Sequence, residues 1–309
     1  MPLQLPPAGE SEVDLAALGE CSLDYVGLCQ AWPGPDEKVS LASLETSAGG
    51  QAATAALACR RLGWRSRFVG TVGDDEAGTR ALAGLRASGV DVRVIVKPGV
   101  RSRQAIVLAD PARGTRAVLE ARDPLLTLVP SDVQPAWIAT SRLVLVDATF
   151  PAAAITAADV ARRAGRPVLV DVDTAGPEVS ALLARVDVVI VSSASLEGLV
   201  GTSEPGEASR RIASAVPAGL VVVTLGREGA LALASGREIR SKAPNVSVRD
   251  TVGAGDAFRG GFAAGWLRFG PQAELETVMS YANAVAALNC RELGAQRGLP
   301  TPAEVERLM

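Results

Sequence analysis

The stretch DTVGAGDAFRGGFAAG, residues 250–265, is the most informative segment of this 309-residue chain. It contains five glycines, at positions 253, 255, 260, 261 and 265. Phe258, Phe262 and Trp266 recur at i, i+4 and i+8, which is the spacing of one helix face. Because each interior glycine costs a helix about 1 kcal/mol relative to alanine, the last three glycines predict tight packing of this helix.

The start of this stretch can form an anion-binding turn. The small residues 253–255 would let backbone N–H groups approach an oxyanion, and the helix N-terminus adds about half a positive charge. Asp256 would lie in the first helical turn. Its carboxylate would stabilise the helix dipole, or it would take a proton from a hydroxyl that attacks a bound phosphate. The residues alone leave both roles open.

Composition excludes several classes of protein. The chain has no histidine, which rules out histidine general bases, Ser–His–Asp triads and HExxH zinc sites. None of its three lysines follows glycine in a GxxxxGK[ST] pattern, so a P-loop is excluded. The net charge of −3, with both signs mixed, gives no support for a nucleic-acid partner.

The same sequence predicts a cytoplasmic location without membrane attachment. The first basic residue is Lys38, so the N-terminus lacks the positive region of a signal peptide. No apolar run reaches the roughly 18 residues that a membrane helix needs. The four cysteines form no CxxC pair and suit a reducing compartment, as small buried side chains.

Short β-branched runs alternate with alanine-rich segments along the chain. The predicted strands lie within 67–73, 105–110, 142–149, 167–173, 186–192 and 220–226, and the predicted helices within 52–63, 77–89, 151–165 and 207–216. This alternation predicts βαβ units and a mostly parallel sheet flanked by helices. Apart from one aspartate in each, the runs VLVDV and VDVVIV are apolar, as strands buried on both faces should be. We expect a single α/β domain over residues 1–309.

Two segments, residues 24–46 and 98–122, interrupt this pattern. They form either surface loops or a small antiparallel sheet that acts as a lid over a cleft, and periodicity alone leaves both open. The second segment contains five arginines: Arg101, Arg103, Arg113, Arg116 and Arg122. Arg101 and Arg103 could clamp an acidic substrate from one face of a strand. The abundance of arginine throughout the chain favours a solvated lid face instead.

The motif DTVGAGDAF…GGF resembles the C-terminal signature of the ribokinase-like, PfkB-type carbohydrate kinases. Further segments resemble this family in the right order: GECSLD at 19–24, GGQAATAALACRRLG at 49–63, FVGTVGDDEAG at 68–78, VTLGREGAL at 223–231 and ANAVAALNCRELGA at 282–295. The resemblance covers most of the chain. It implies a three-layer α/β/α fold with a small β lid and an ATP-dependent kinase acting on a small sugar.

The resemblance also implies roles for the matching residues. Asp256 would be the general base, and Gly253 with the backbone N–H groups of Ala254, Gly255 and Asp256 would form the anion hole. The implied sugar-binding residues are Asp24, Gly49, Gly50, Thr54 and Asp147. The implied nucleotide-binding residues are Thr224, Gly226, Gly229 and Asn283.

Cofactors and partners follow from the same resemblance. Mg²⁺ would arrive with ATP, held largely by phosphate oxygens and water, and no protein metal ligand is predicted. Family members can also bind a monovalent cation near Asp250 and Val252. Similar proteins form dimers through the lid, which implies a homodimer here.

The chain departs from the family pattern at two places. Ser192 and Ser195 stand where many members carry the Asn and Glu of an NxxE motif, whose Glu organises the waters of Mg²⁺. Glu197 lies two residues out of register and is expected to be a solvated helix residue. Thr54 replaces a usual Asn and offers one hydroxyl in place of a planar amide, which bears on the identity of the sugar.

Three functions are therefore compared. The first is a sugar kinase. The second is a nucleoside kinase of the same fold, which would need an aromatic or apolar wall, for which Tyr25 and Trp32 are the candidates near Asp24. The third is a catalytically weak sugar- or nucleotide-binding protein, suggested by Ser192 and Ser195. A dinucleotide-binding dehydrogenase is excluded because no GxGxxG follows the first strand.

Overall fold

A sheet of nine strands forms the centre of the computed structural model, which describes residues 4–29, 32–110, 115–217 and 219–309. The strands are β1 Val13–Gly19, β2 Ser22–Leu28, β3 Ser43–Gly49, β4 Ser66–Gly73, β5 Asp91–Lys97, β6 Gln104–Asp110, β7 Thr115–Ala121, β8 Ser141–Asp147, β9 Val168–Val172, β10 Val188–Ser192, β11 Leu220–Thr224, β12 Ala230–Ala234 and β13 Arg237–Ser241. The order in the central sheet is β13-β12-β11-β10-β9-β8-β1-β4-β5. All neighbours pair in parallel except β11–β12 and β12–β13, which form an antiparallel edge.

Helices cover both faces of this sheet. They are α1 Gln51–Arg61, α2 Glu76–Ala87, α3 Pro135–Ala139, α4 Pro151–Arg163, α5 Pro177–Leu183, α6 Leu196–Val200, α7 Pro205–Ala213, α8 Ala254–Phe269, α9 Leu275–Asn289 and α10 Pro302–Leu308. No helix in the described ranges is both long and apolar enough to cross a membrane.

Successive side chains of the central strands point to opposite faces of the sheet and belong to two separate hydrophobic cores. In β8, Leu143 and Leu145 pack with α1, α8 and α9, whereas Val144 and Val146 pack with α4 and α5 on the other face. A parallel strand buried on both faces needs apolar residues at successive positions, which explains its continuous run. The predicted three-layer α/β/α architecture is confirmed.

A second sheet of four strands, in the order β3-β2-β6-β7, forms the predicted lid. The prediction of an antiparallel sheet was wrong for its centre: β2 and β6 pair in parallel, while β2–β3 and β6–β7 are antiparallel. The reason is that β2 and β6 come from distant parts of the chain and no hairpin joins them. Arg113 lies outside the described residues.

The glycines of α8 make the predicted tight packing possible. A Cβ on Gly260 would lie 2.5 Å from the carbonyl oxygen of Ala55 in α1, and one on Gly261 would lie 2.9 Å from Val285 Cβ in α9. Phe258, Phe262 and Trp266 are buried, and the rings of Phe262 and Trp266 meet edge to face at 5.6 Å. Helix α8 is therefore held closely between α1 and α9.

We expect Gly260→Ala to lower the free energy of unfolding by about 1–3 kcal/mol, because the added methyl group would overpack this contact. Gly84→Ala on α2 is the matched control, since the nearest heavy atom to its Cβ would be 3.9 Å away. There the same change should raise the free energy of unfolding by about 0.4–1 kcal/mol. Urea titration of both variants measures the difference, and equal effects would contradict the packing account.

Candidate active site

A cavity of 890 Å³ lies between the lid sheet and the carboxyl ends of the central strands. Glu20 follows β1, Ala148 and Thr149 follow β8, Asp173 follows β9, and Ser192 and Thr224 end β10 and β11. Ligands of open α/β sheets bind at this edge because the loops after the carboxyl ends converge there. The volume is within the range of small-molecule sites.

The N-terminus of α8 forms one wall of the cavity. Gly253 precedes the helix in the left-handed conformation, with φ 72°, and a Cβ there would lie 2.6 Å from Ala295 Cα. The first N–H groups of a helix have no partner inside the helix, although Ala254 N–H donates to the Thr251 carbonyl at 3.3 Å. Gly253, Ala254, Gly255 and Asp256 all line the cavity, so the structure brings the predicted anion-hole residues together.

Asp256 is mostly buried at this wall, with 17% of its side chain exposed. Burial raises the pKa of its carboxyl group, whereas the guanidinium of Arg259 and then that of Arg116 counter this rise. Arg259 Nη1 lies 3.4 Å from Asp256 Oδ1. The carboxylate therefore faces the cavity with a positive charge one helical turn away.

The lid side of the cavity carries a network of opposite charges. Arg103 Nε lies 2.7 Å from Glu120 Oε2 and 3.3 Å from Glu20 Oε1, and Arg122 also pairs with Glu20. Burial raises the pKa of Glu20 to about 7, despite these two guanidinium groups. Both arginines already have carboxylate partners, which argues against a clamp reserved for an acidic substrate.

Asp24 lies next to this network, and one of its carboxylate oxygens accepts no hydrogen bond. It is 5% exposed, Arg103 Nη1 is 3.8 Å from its Oδ1, and this oxygen makes no hydrogen bond. Burial raises the pKa of Asp24. A Cβ on Gly49 would collide with Asp24 Oδ2, so Gly49 makes room for this carboxylate. Because Asp24 lines the cavity, a ligand hydroxyl could satisfy the free oxygen.

Three residues predicted to bind sugar do not line the cavity: Gly49, Thr54 and Asp147. Thr54 is fully buried and accepts a hydrogen bond from Gln296 Nε2 at 3.2 Å. Asp147 is also fully buried and accepts backbone N–H groups of Glu20 at 2.7 Å, Thr149 at 3.0 Å and Ala52 at 3.3 Å. The structure thus gives Asp147 a different position from the expected sugar contact: it ties the ends of β1 and β8 to α1.

The four predicted nucleotide-binding residues all line the other end of the cavity: Thr224, Gly226, Gly229 and Asn283. Gly226 has φ 58° and open space around its Cβ position, whereas a Cβ on Gly229 would collide with the Ser241 carbonyl. Asn283 Nδ2 donates to that carbonyl at 3.1 Å. An apolar wall completes this end: Pro244, Val246, Val248, Ala286 and Cys290, of which only the last two lie in a segment of the family resemblance.

Ser192 and Ser195 also line the cavity, and Thr224 lies beside them. Ser192 Oγ accepts the N–H of Ala194 at 3.3 Å. Glu197 is exposed and does not line the cavity, as expected for a solvated helix residue. Hydroxyl groups can hydrogen-bond metal-bound water but add no negative charge, so this donor set fits Mg²⁺ carried in by phosphates rather than a protein cage.

Sequence reasoning named Arg116 and Arg122 as lid residues but not as cavity residues, and it missed Glu20 and Glu120 altogether. Arg116, Val118 and Glu120 of β7 all line the cavity, and their period of two is the signal that could have found them. Arg103 lies at the cavity, so the solvated lid face predicted for it was wrong, whereas Arg101 is exposed. Tyr25 and Trp32 do not line the cavity.

Comparison with known proteins identifies relatives along the whole chain. The model of the pfkB family carbohydrate kinases matches residues 13–302. Fructokinase-1 of Oryza sativa subsp. japonica is 31% identical, covering 98% of this chain and 99% of that protein. Ribokinase of Bacillus subtilis (strain 168) is 28% identical, covering 96% and 99%. The crystal structure of a putative ribokinase from Agrobacterium tumefaciens is 28% identical, with a TM-score of 0.87 and 96% of each chain covered.

Proposed function

This chain belongs to the pfkB family of carbohydrate kinases, which are ATP-dependent phosphotransferases, and we propose that it phosphorylates a hydroxyl of a small neutral sugar. The observation that carries the proposal is the position of Asp256. Its carboxylate and the N-terminus of α8 lie in one cavity, with the unsatisfied oxygen of Asp24 on the lid side and Thr224 and Gly226 at the other end. A sugar and a nucleotide bound at the two ends would meet at Asp256.

In the proposed reaction, Asp256 accepts the proton of the attacking hydroxyl. The sugar oxygen forms a bond to the γ-phosphorus of ATP while the bond to the bridging oxygen of ADP breaks. Backbone N–H groups of Ala254, Gly255 and Asp256 stabilise the charge on the transferring group, supported by the left-handed turn at Gly253. General base catalysis of this kind contributes about 10²- to 10⁴-fold.

The sugar would be bound under the lid by Asp24 and Gly50, with Glu20, Gln51 and Arg103 beside them. In this proposal the chain acts as one α/β unit over residues 1–309, whose lid segments 24–46 and 98–122 cover the sugar. Gly49 and Asp147 act through their neighbours: Gly49 makes room for Asp24, and Asp147 fixes the backbone of Glu20 and Ala52. Thr54 is fully buried and takes no direct part.

The nucleotide would lie across Gly226 and Gly229 and against the apolar wall that includes Val246 and Ala286. Asn283 shapes this wall, because its amide holds the end of β13. Mg²⁺, when bound with ATP, would neutralise phosphate charge. The hydroxyls of Ser192, Ser195 and Thr224 would hydrogen-bond its waters.

A monovalent cation near Asp250 and Val252 is a further cofactor implied by the resemblance. Asp250 is buried, and its two oxygens accept the N–H groups of Val252 at 2.9 Å and Gly294 at 2.8 Å. These bonds hold the turn that leads into α8. Activity in potassium chloride and in tetramethylammonium chloride at equal ionic strength decides whether a cation acts there.

The experiment that tests the sugar-kinase proposal measures ADP release with Mg-ATP and a panel of pentoses, hexoses and nucleosides. We expect release with a sugar. Among the described residues that line the cavity, Phe258 is the one aromatic, and it is 2% exposed, which gives a nucleobase little to stack against. Release with nucleosides alone would favour the nucleoside kinase. Ligand-dependent thermal shifts without ADP release would favour a binding protein.

The outer face of the lid sheet supports the proposal of a homodimer. Tyr25, Ile106 and Leu119 are paired across β2, β6 and β7, and point away from the cavity side, where Asp24, Ala105 and Glu120 are paired. Ile106 is 50% and Leu119 56% exposed. A second lid sheet is the occupant we propose for this face.

We expect Leu119→Glu to convert the protein from dimer to monomer in size-exclusion chromatography with light scattering, because the charge would be buried between two apolar faces. Val96→Glu on the edge strand β5 is the matched control, since Val96 is 51% exposed and lies outside the lid. A monomeric wild-type protein, or dimers of both variants, would contradict the proposal.

The four cysteines are free and buried, which is consistent with the predicted reducing compartment. For this reason, and because its family depends on ATP, we propose that the enzyme acts in the cytoplasm.

A further inference from the structure

A buried arginine lies directly behind the proposed base. Arg259 follows Asp256 by three residues on α8, so both side chains are on one face of the helix. Its Nη1 lies 3.4 Å from Asp256 Oδ1, and its Nη2 forms an ion pair with Asp171. Only 6% of the Arg259 side chain is exposed. The guanidinium thus joins the base to a second carboxylate inside the protein.

Asp171 anchors this guanidinium from the central sheet. It lies in β9, paired in register with Asp147 of β8, and its side chain is fully buried. Burial raises the pKa of Asp171 well above its ordinary value, against the opposing effect of Arg259. Because neither charge is solvated, each depends on the other, and removing one partner would leave an unpaired buried charge.

Gly255 provides the space that this arrangement needs. A Cβ on Gly255 would lie 2.7 Å from Arg259 Nη1. The absence of a side chain at this position therefore serves the guanidinium as well as an approaching phosphate. The position of Arg259 is set from two directions, by the helix backbone at Gly255 and by Asp171 in β9.

Several charged groups surround Asp256. Arg259 on the same helix lowers its pKa most, followed by Arg116 of β7 and Arg103 before β6. Asp173, after β9, raises it, and Asp24 of β2 and Asp171 of β9 add further negative charge. Arg259 has the largest effect among the groups that favour the ionised carboxylate.

We propose that Arg259 is a positioning residue that fixes the orientation and negative charge of Asp256, and that Asp171 holds Arg259 in place. The proposal rests on the proposed role of Asp256 as the general base. The phosphate-binding turn before Asp256 needs only its backbone N–H groups and does not require a buried ion pair. The proposal therefore gives the Arg259–Asp171 pair a function of its own.

Arg259→Met tests this proposal through the pH profile. A hydroxyl is activated only by ionised Asp256, so kcat falls as the pH drops through the pKa of this carboxyl. Loss of the guanidinium raises that pKa further, and we expect the acid limb of kcat to move up by about one pH unit. We also expect kcat at its optimum to fall about 10- to 100-fold through misorientation, with the KM values for ATP and sugar within about twofold.

Arg259→Lys and a double variant separate positioning from stability. Lysine restores a positive charge but not the planar guanidinium, which reaches both carboxylates. We therefore expect the acid limb of the kcat profile to return only part of the way to its wild-type pH. Arg259→Met with Asp171→Asn removes both buried charges, and it should regain much of the thermal stability lost in Arg259→Met while kcat stays low. This double variant also provides the test if Arg259→Met alone does not fold.

A wild-type acid limb and kcat in the double variant would overturn the proposal, because the pair would then be only structural. Asp256→Asn, measured in parallel, separates this failure from that of the proposed function. If Asp256→Asn is inactive while the double variant is fully active, only the role of Arg259 fails. If Asp256→Asn keeps the wild-type kcat, the role of Asp256 as base fails first.

Discussion

Replacing Asp256 by Asn is expected to lower kcat by about 10²- to 10⁴-fold, the usual contribution of a general base. The amide has the shape of the carboxylate but cannot accept the proton of the attacking hydroxyl. The KM values should change little, because Asp24 and the nucleotide end of the cavity are untouched. Stability should not fall, since burial disfavours the charge of Asp256 in the wild-type protein.

Asp159→Asn is the matched control for this prediction. Asp159 lies on α4, in the helix layer opposite α8, and pairs with Arg185 at 3.0 Å. The same chemical change there should leave kcat at the wild-type value. Steady-state assays of both variants measure the difference in kcat. An Asp256→Asn enzyme that keeps more than about a tenth of the wild-type kcat would exclude Asp256 as the base, because a general base usually contributes more than that.

The second large effect is expected at Gly253. Gly253→Ala would place a Cβ 2.6 Å from Ala295 Cα, in a backbone conformation with φ 72° that side chains rarely adopt. The turn must then shift, and with it the N–H groups at the start of α8. Because the loss of one anion-hole donor costs about 10²–10³ in kcat, we expect a decrease of at least that size.

Gly165→Ala separates backbone strain from the loss of the anion hole. Gly165 has φ 68° at the end of α4, and no heavy atom would lie within 4 Å of its Cβ. It should lose about 1–2 kcal/mol of stability through the left-handed conformation alone, with an unchanged kcat. A Gly253→Ala enzyme that resembles Gly165→Ala in both stability and kcat would mean that this turn does not form the anion hole.

Local patterns predicted β4 and β8 to β11 of the central sheet, but not β1, β5, β12 or β13. Strands β8 to β11 are largely apolar because both faces are buried, and that pattern is visible in the sequence. The edge strand β5 was missed, since its run DVRVIVK carries charges and is half exposed. The parallel pairing of β2 with β6 was also missed, because it depends on contacts about eighty residues apart rather than on a turn.

The candidate site could be predicted where its chemistry lies on contiguous residues. The turn at 253–256 is such a case, since the glycines, the helix start and the carboxylate are adjacent. The ion pairs Glu20–Arg122 and Asp171–Arg259 could not be predicted, because each joins distant segments of the chain. Arginine is also frequent throughout the sequence, so no single arginine stood out as a partner. Asp147 shows the converse: the family resemblance implied a sugar contact, but backbone N–H groups donate to both oxygens of its carboxylate.

The central claim is phosphoryl transfer to a sugar in this cavity, and product analysis tests it most directly. The wild-type protein is incubated with Mg-ATP and each sugar, and sugar phosphate and ADP are quantified by ³¹P NMR. The account predicts that at least one neutral sugar gives sugar phosphate and ADP in equal amounts. ATP and sugar binding without any sugar phosphate, or ADP accompanied only by inorganic phosphate, would contradict it.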